Sequence, residues 1–165
     1  YGWSIITLGG LLFTAMLIAL TFIDADTQYL PDQITLPLVW LGLLFNLNGA
    51  FVPLSSAVLG AVFGYMSLWL LCYVYKLLTG KVGMGGGDFK LLAALGAWLG
   101  VGVLPVIVFI AALIGVLAAV LLRVAKGQQF AFGPSLAVAG WLVFIANEKV
   151  LAALGWWLRA SGFSA

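Results

Sequence analysis

"WSIITLGGLLFTAMLIALTFI", residues 3 to 23, contains no charged side chain and is followed at once by Asp24. A run of this length supplies the roughly 20 apolar residues that an α-helix needs to cross a hydrocarbon core about 30 Å thick. It has no basic leader and no small-residue cleavage site, so it reads as a retained span and not as a signal peptide. The rest of the 165-residue chain is of the same kind: 65% of residues are hydrophobic, 7% are charged, and the mean hydropathy is +1.23. Soluble domains usually carry about 25% charge, so the solvent of this chain is lipid. Tyr1 stands where an initiator Met would be, and the sequence reads as a piece of something longer.

Outward from the first run, Gly, Pro and Asn punctuate the chain at "YLPD", "NLNGAFVP", "GVGVLP" and "AKGQQFAFGP". These breaks predict helices at about 3–23, 33–47, 54–79, 88–100 and 103–123, and at about 134–147 with a tail to 158. The expected fold is an all-α polytopic membrane protein of about six transmembrane helices, with a glycine-rich loop before helix 4 and a single domain over residues 1 to 165. Lys76, Lys81 and Lys90 flank that loop, and Arg123 and Lys126 follow helix 5, while two other breaks carry no basic residue. The basic loops are expected on the cytoplasmic side. Glu148, Lys149 and Arg159 fall on the far side by this count.

Composition also excludes. Seven basic and five acidic residues give a net charge of +2, too little and too scattered for a nucleic-acid partner. There is no His, and Cys72 is the only Cys, so neither an intrachain disulfide, a zinc cluster nor a Cys/His nucleophile can be assembled. Ser135 in "GPS" lacks a His to activate it, and the glycines of "GMGGG" lack the strand that a dinucleotide loop requires. "GAVFG", Gly60 to Gly64, has the spacing of close helix packing. Trp156 and Trp157 read as interfacial anchors, and Cys72 as a small apolar group.

"GKVGMGGGDFKLLAALG", residues 80 to 96, then raises a question of cost. A carboxylate at the membrane edge is expensive unless it faces a cavity or a partner. Two crossings separate Asp24 from Asp88, so both acids belong to one membrane face. Paired carboxylates suit acid and base work on water, because they cannot both ionise cheaply and one keeps a proton. Such a pair hydrolyses a peptide without His, Cys or metal. Alone, Asp88 also suits a helix N-cap, but one glycine would make that turn. Gly83, Gly85, Gly86 and Gly87 together suggest a mobile loop, positive φ and close backbone approach by a substrate. Spacing alone leaves the partner open among Asp24, the deepest, Asp26, a candidate solvated acid, and Asp32, a candidate N-cap of helix 2.

"FIDADTQYLPDQITLP" and "GMGGGDFKLLAALGAWLG" together resemble the type IV prepilin peptidases, a GxGD class of membrane aspartyl protease, and "LPLVWLGLLFNL" and "FGPSLAVAGW" extend the likeness over most of the chain. The resemblance implies that Asp24, seven residues before Pro31, and Asp88, closing GxGD, are the catalytic pair. It makes Gly85, Gly86, Gly87 and Lys90 loop or substrate-binding residues, with Lys90 acting on the charge of the pair or on a lipid phosphate. It implies cleavage of a basic leader from prepilins and type II secretion pseudopilins, after Gly, at the cytoplasmic face of the bacterial inner membrane, with no cofactor and no metal. Many members also N-methylate the new terminus with S-adenosylmethionine and carry two CxxC pairs, which are absent from this sequence. Val82 and Gly86 depart from the acidic and aromatic residues common at those positions. A small transporter or channel with intramembrane acids is the alternative, and a presenilin-like protease would pair GxGD with "YD" where this chain has "FID".

Overall fold

The computed structural model describes residues 5 to 124 and 130 to 160, with side chains followed to 147 and at 159. Expectations that rest on Lys126 or on the side chains of Glu148, Lys149, Trp156 and Trp157 lie outside the described residues. Six helices follow one another: α1 (Ile5–Thr27), α2 (Asp32–Phe45), α3 (Leu54–Thr79), α4 (Gly86–Leu99), α5 (Leu104–Leu121) and α6 (Gly133–Ala160). Short 3-10 turns cover Asn46–Asn48 and Val101–Val103, and no strand occurs among the described residues.

Three stretches, Ile5–Thr27, Leu54–Thr79 and Val101–Leu121, are long and apolar enough to cross a membrane, and α6 adds the shorter apolar stretch Gly133–Asn147. Helices α2 and α4 have only 14 residues each, about 21 Å at 1.5 Å per residue. A short helix is tolerable at membrane depth when protein, not lipid, surrounds it. That is the situation of α4: every residue from Leu91 to Gly100 is buried, as expected of a helix that is apolar on all sides. Helices α2, α3 and α6 pack around it, while α1 lies against α2 and α6, and α5 against α6.

Two devices bring neighbours close to α4. On the α3 side there is no room for side chains. A methyl group on Gly60 would run into the Gly96 carbonyl, one on Gly96 into the Gly60 carbonyl, and one on Gly64 would come within 2.6 Å of the Leu92 oxygen. The "GAVFG" spacing therefore is a packing face, as the sequence suggested. On the α2 side, directed polar bonds do the work. The Trp98 indole N–H donates to the Leu38 carbonyl at 2.8 Å. The fully buried Asn46 donates to the Ala97 carbonyl at 2.9 Å and accepts from the Phe51 and Val52 amides at 2.9 and 3.0 Å. Asn46 thereby satisfies backbone groups at the end of the bundle opposite Asp88, where an unpaired polar group would be costly. Phe13, Phe45, Phe51 and Phe144 fill the space around Trp98, with neighbouring ring centroids 4.8 to 6.3 Å apart.

The α3–α4 contact yields a stability test. Gly60→Val and Gly96→Val each place side-chain carbons where backbone stands, and overpacking of this kind costs about 1–3 kcal/mol or more. Thermal unfolding in detergent should show both variants losing stability. Gly102→Ala meets nothing within 4 Å and should unfold like the parent; equal melting of all three would show that the helices have room to separate.

Candidate active site

Helix ends decide where the acids stand. Helix α1 does not stop at residue 23 as its apolar run suggests; it continues to Thr27, whose hydroxyl donates to the Ile23 carbonyl at 2.6 Å. Gln28, at φ 54°, ends it, and its amide closes on the Asp24 carbonyl at 2.8 Å. Asp24 thus sits within the last turn of α1, 4% exposed. Helix α4 starts two residues earlier than its apolar run suggests, at Gly86, with Gly85 as N-cap. Asp88 is therefore the third residue of α4, 8% exposed and turned inward, and not the cap of the helix.

Tertiary contacts gather these turns at one end of the bundle. Leu30, 4% exposed, is the common neighbour. A methyl group on Gly87 would lie 2.8 Å from Leu30 Cβ; one on Gly133, the first residue of α6, would run into the Asp24 carboxylate and lie 3.1 Å from Leu30 Cδ1. The Gly133 amide faces Asp24, yet Asp24 Oδ2 is buried without meeting the geometry of any hydrogen bond. Leu30 thus joins Gly133, which abuts the Asp24 carboxylate, to Gly87, the neighbour of Asp88, so α1, α4 and the start of α6 bring two buried carboxylates to one end of the bundle. Phe89 closes the site on the α3 side, edge-on to Tyr65 with centroids 5.9 Å apart. Cys72, half-buried on α3, packs against the core. Among the described residues no cluster of His, Cys, Asp and Glu suited to a metal ion occurs.

The other sequence candidates separate. Asp26 is exposed, as a solvated acid would be. Asp32 is not the N-cap of α2: Pro31 is, and no side chain caps the helix. Its carboxylate is instead taken by Lys90, with Nζ 2.7 Å from Oδ1. Lys90 is thus committed to Asp32. Positive φ is expected among Gly83, Gly85, Gly86 and Gly87, but among the described residues only Gly49, Gly80 and Gly100 of the glycines have it. Gly87 is a glycine because Leu30 leaves no space. At Gly85 and Gly86 an added methyl group would meet nothing within 4 Å, so the fold itself makes no demand for glycine there. Gly133 lies in the stretch "FGPSLAVAGW" that extends the family likeness, but no role is assigned to it there. Its signal is topological, since α6 departs from the same face to which α1 and α4 bring their acids.

This geometry agrees with what the chain is similar to. Residues 11–120 match the model of the type IV leader peptidase family. A prepilin leader peptidase/N-methyltransferase of Neisseria gonorrhoeae is 72% identical over 96% of this chain and 55% of its own length. Proteins of the same name from Aeromonas salmonicida and Pseudomonas aeruginosa are 52% and 49% identical, over 90% and 85% of this chain and 52% and 50% of their own lengths. The chain spans about half the length of these curated relatives, and no solved structure matches it. The family match covers more than half of the sequence and includes both Asp24 and Asp88: the chain belongs to the type IV leader peptidase family.

Proposed function

We propose that this chain is the proteolytic part of a membrane aspartyl endopeptidase that removes the basic leader from type IV prepilins and type II secretion pseudopilins. Asp24 and Asp88 are its catalytic pair. The observation that carries the reading is their convergence as buried carboxylates from separate helices, with Asp24 Oδ2 unpartnered. Family membership and the names of the relatives support it.

Two carboxylates gathered in one buried site cannot both ionise cheaply, and in this reading they share one proton. The ionised member takes a proton from water as the water oxygen bonds to the scissile carbonyl carbon, and the protonated member gives its proton to the carbonyl oxygen. In the collapse of the tetrahedral intermediate, one carboxyl protonates the amide nitrogen, the other recovers a proton from a hydroxyl, and the C–N bond breaks. The pair ends as it began, with one proton. The free N–H groups at the starts of α4 and α6 favour the negative charge that the site must always carry. Gly85 and Gly86, where the fold does not require glycine, leave the backbone open for an extended substrate to lie against.

The same reading places the whole of residues 1 to 165 in one six-span domain of the bacterial inner membrane, with the acidic end at the cytoplasmic face. There the scissile bond lies between a basic leader and an apolar helix. The relatives are also named N-methyltransferases. The donor for that chemistry would be S-adenosylmethionine, and the described residues do not fit it. A groove of about 910 Å³ between α3 and α5 and another of about 490 Å³ along α5 are lined almost wholly by apolar side chains, with nothing to hold an adenosine or an amino-acid head. No methyl-transfer step is derived for this chain.

Asp24→Asn and Asp88→Asn should each lower prepilin cleavage by about 10²–10⁴-fold while the protein still inserts, and Asp26→Asn should leave it near the parent rate. The parent rate should rise and then fall with pH, because only the singly protonated pair is active. A rate that is flat from about pH 4 to 10, or full activity in either Asn variant, would sink the dyad.

Glycine substitutions separate two roles. Gly133→Ala pushes on the Asp24 carboxylate and should lower kcat roughly 10- to 100-fold. Gly86→Ala changes only the open face and should raise KM with little change in kcat. Steady-state kinetics with a prepilin peptide decide this, and an unaffected KM in Gly86→Ala would remove the substrate from that face.

Orientation is checked by single cysteines in a Cys72→Ala background. Gln28→Cys should react with impermeant maleimide only from the cytoplasm and Asn48→Cys only from outside. The reverse labelling would take the site away from the cytoplasmic face.

A further inference from the structure

Lys90 is two residues from Asp88, and two residues on an α-helix point in nearly opposite directions. With Asp88 turned towards Asp24, Lys90 is turned towards α2, where its ammonium meets Asp32 at 2.7 Å. Asp32 in turn is the second residue after Leu30, whose side chain packs against Gly87. Residues 30–32 and 87–90 are therefore fastened twice within one helical turn, once by van der Waals contact and once by charge. Asp32 is also free to do this because α2 is not capped by any side chain.

Stability does not account for the ion pair. Lys90 and Asp32 are 30% and 47% exposed, and exposed pairs add little to folding. Helices α2 and α4 are already joined by the Trp98 and Asn46 bonds. Those bonds, however, sit about ten residues further along α4, some 15 Å from Asp88, and the Phe89–Tyr65 contact holds the first turn to α3 and not to α2. The first turn also carries Gly86 and Gly87, which stiffen a helix least.

We propose that the Asp32–Lys90 ion pair is a positioning clasp that holds the first turn of α4, and with it Asp88, in register with the turn that follows Asp24. The proposal rests on the reading of Asp24 and Asp88 as the catalytic pair. Lys90 and Asp32 are positioning residues; neither touches the reacting atoms.

The test combines kinetics with a distance that does not depend on catalysis. Lys90→Met and Asp32→Asn should each lower kcat for prepilin cleavage by about 10- to 100-fold, with KM unchanged. The exchanged pair, Asp32→Lys with Lys90→Asp, should recover most of that loss. In parallel, spin labels at Gln33→Cys and Gly86→Cys in a Cys72→Ala background, with the protein in nanodiscs, report the spacing of the α2 and α4 starts. The distance distribution should broaden in either single variant and narrow again in the exchanged pair. An exchanged pair no better than the single variants would overturn the clasp, and so would Lys90→Met raising KM with kcat intact, which would put the lysine on substrate or a lipid headgroup. If the distances respond as expected while the parent protein cleaves no prepilin, the catalytic reading falls and the clasp between the helices stands.

Discussion

Two carboxylates held out of water with no cation assigned to them are the constraint around which this bundle is arranged. Removing an ionised carboxylate from water costs several kcal/mol even after relaxation, and the usual remedy is a neighbouring Lys or Arg. Lys90 is two positions from Asp88 and is bound to Asp32 instead. A cation on the pair would hold both carboxyls ionised, whereas the proposed chemistry needs one of them protonated. Among the described residues the cost of burial is offset by helix N-termini and by the packing of the surrounding helices.

That packing explains why the rest of the bundle is so tightly built. Helix α4 must carry Asp88 inward while lying deep in protein, and it is short, so its position is fixed by neighbours and not by the membrane. The Gly60–Gly96 approach sets α3 against it backbone to backbone, and the Trp98 and Asn46 bonds anchor it to α2. Small residues and interhelical hydrogen bonds are the means available in lipid, where apolar burial does not by itself drive helices together. The aromatic cluster packs the Asn46 end of α4, and glycines form its first turn at the Asp88 end.

The number and order of helices were legible in the sequence because hydropathy and the Gly/Pro breaks report directly on burial in lipid. The GxxxG face was legible for the same kind of reason. Helix ends near the acids were not. Ile23 ends the apolar run, but α1 continues through polar residues to Thr27, and Gly86 and Gly87 begin α4 despite their poor helix propensity. Hydropathy cannot see either extension: α1 is continued by local bonds of Thr27 and Gln28, and the start of α4 packs Gly87 against Leu30. Counting crossings puts Asp24 and Asp88 at one end of the bundle, where both are buried; the choice of Asp24 over Asp26 and Asp32 rests on the motif resemblance alone. The Asp32–Lys90 pair did not follow, because nothing in spacing tells a capping carboxylate from one that reaches another helix 58 positions away.

The local rules broken in this chain are broken mainly at one end. Asp24 and Asp88 are buried acids within helices, glycines occupy the first turn of α4, and Gln28 takes a left-handed conformation just after Asp24. A left-handed residue other than glycine costs roughly 1 kcal/mol or more, and each of the others is unfavourable in isolation. Toward the opposite end Asn46 is fully bonded and Trp98 fully buried in an aromatic cluster, and the buried Asn147 Oδ1 is left there without a hydrogen-bond partner. Such concentration of unfavourable choices at one end fits the chemical role proposed for that end, since a site built only for stability would replace each of them.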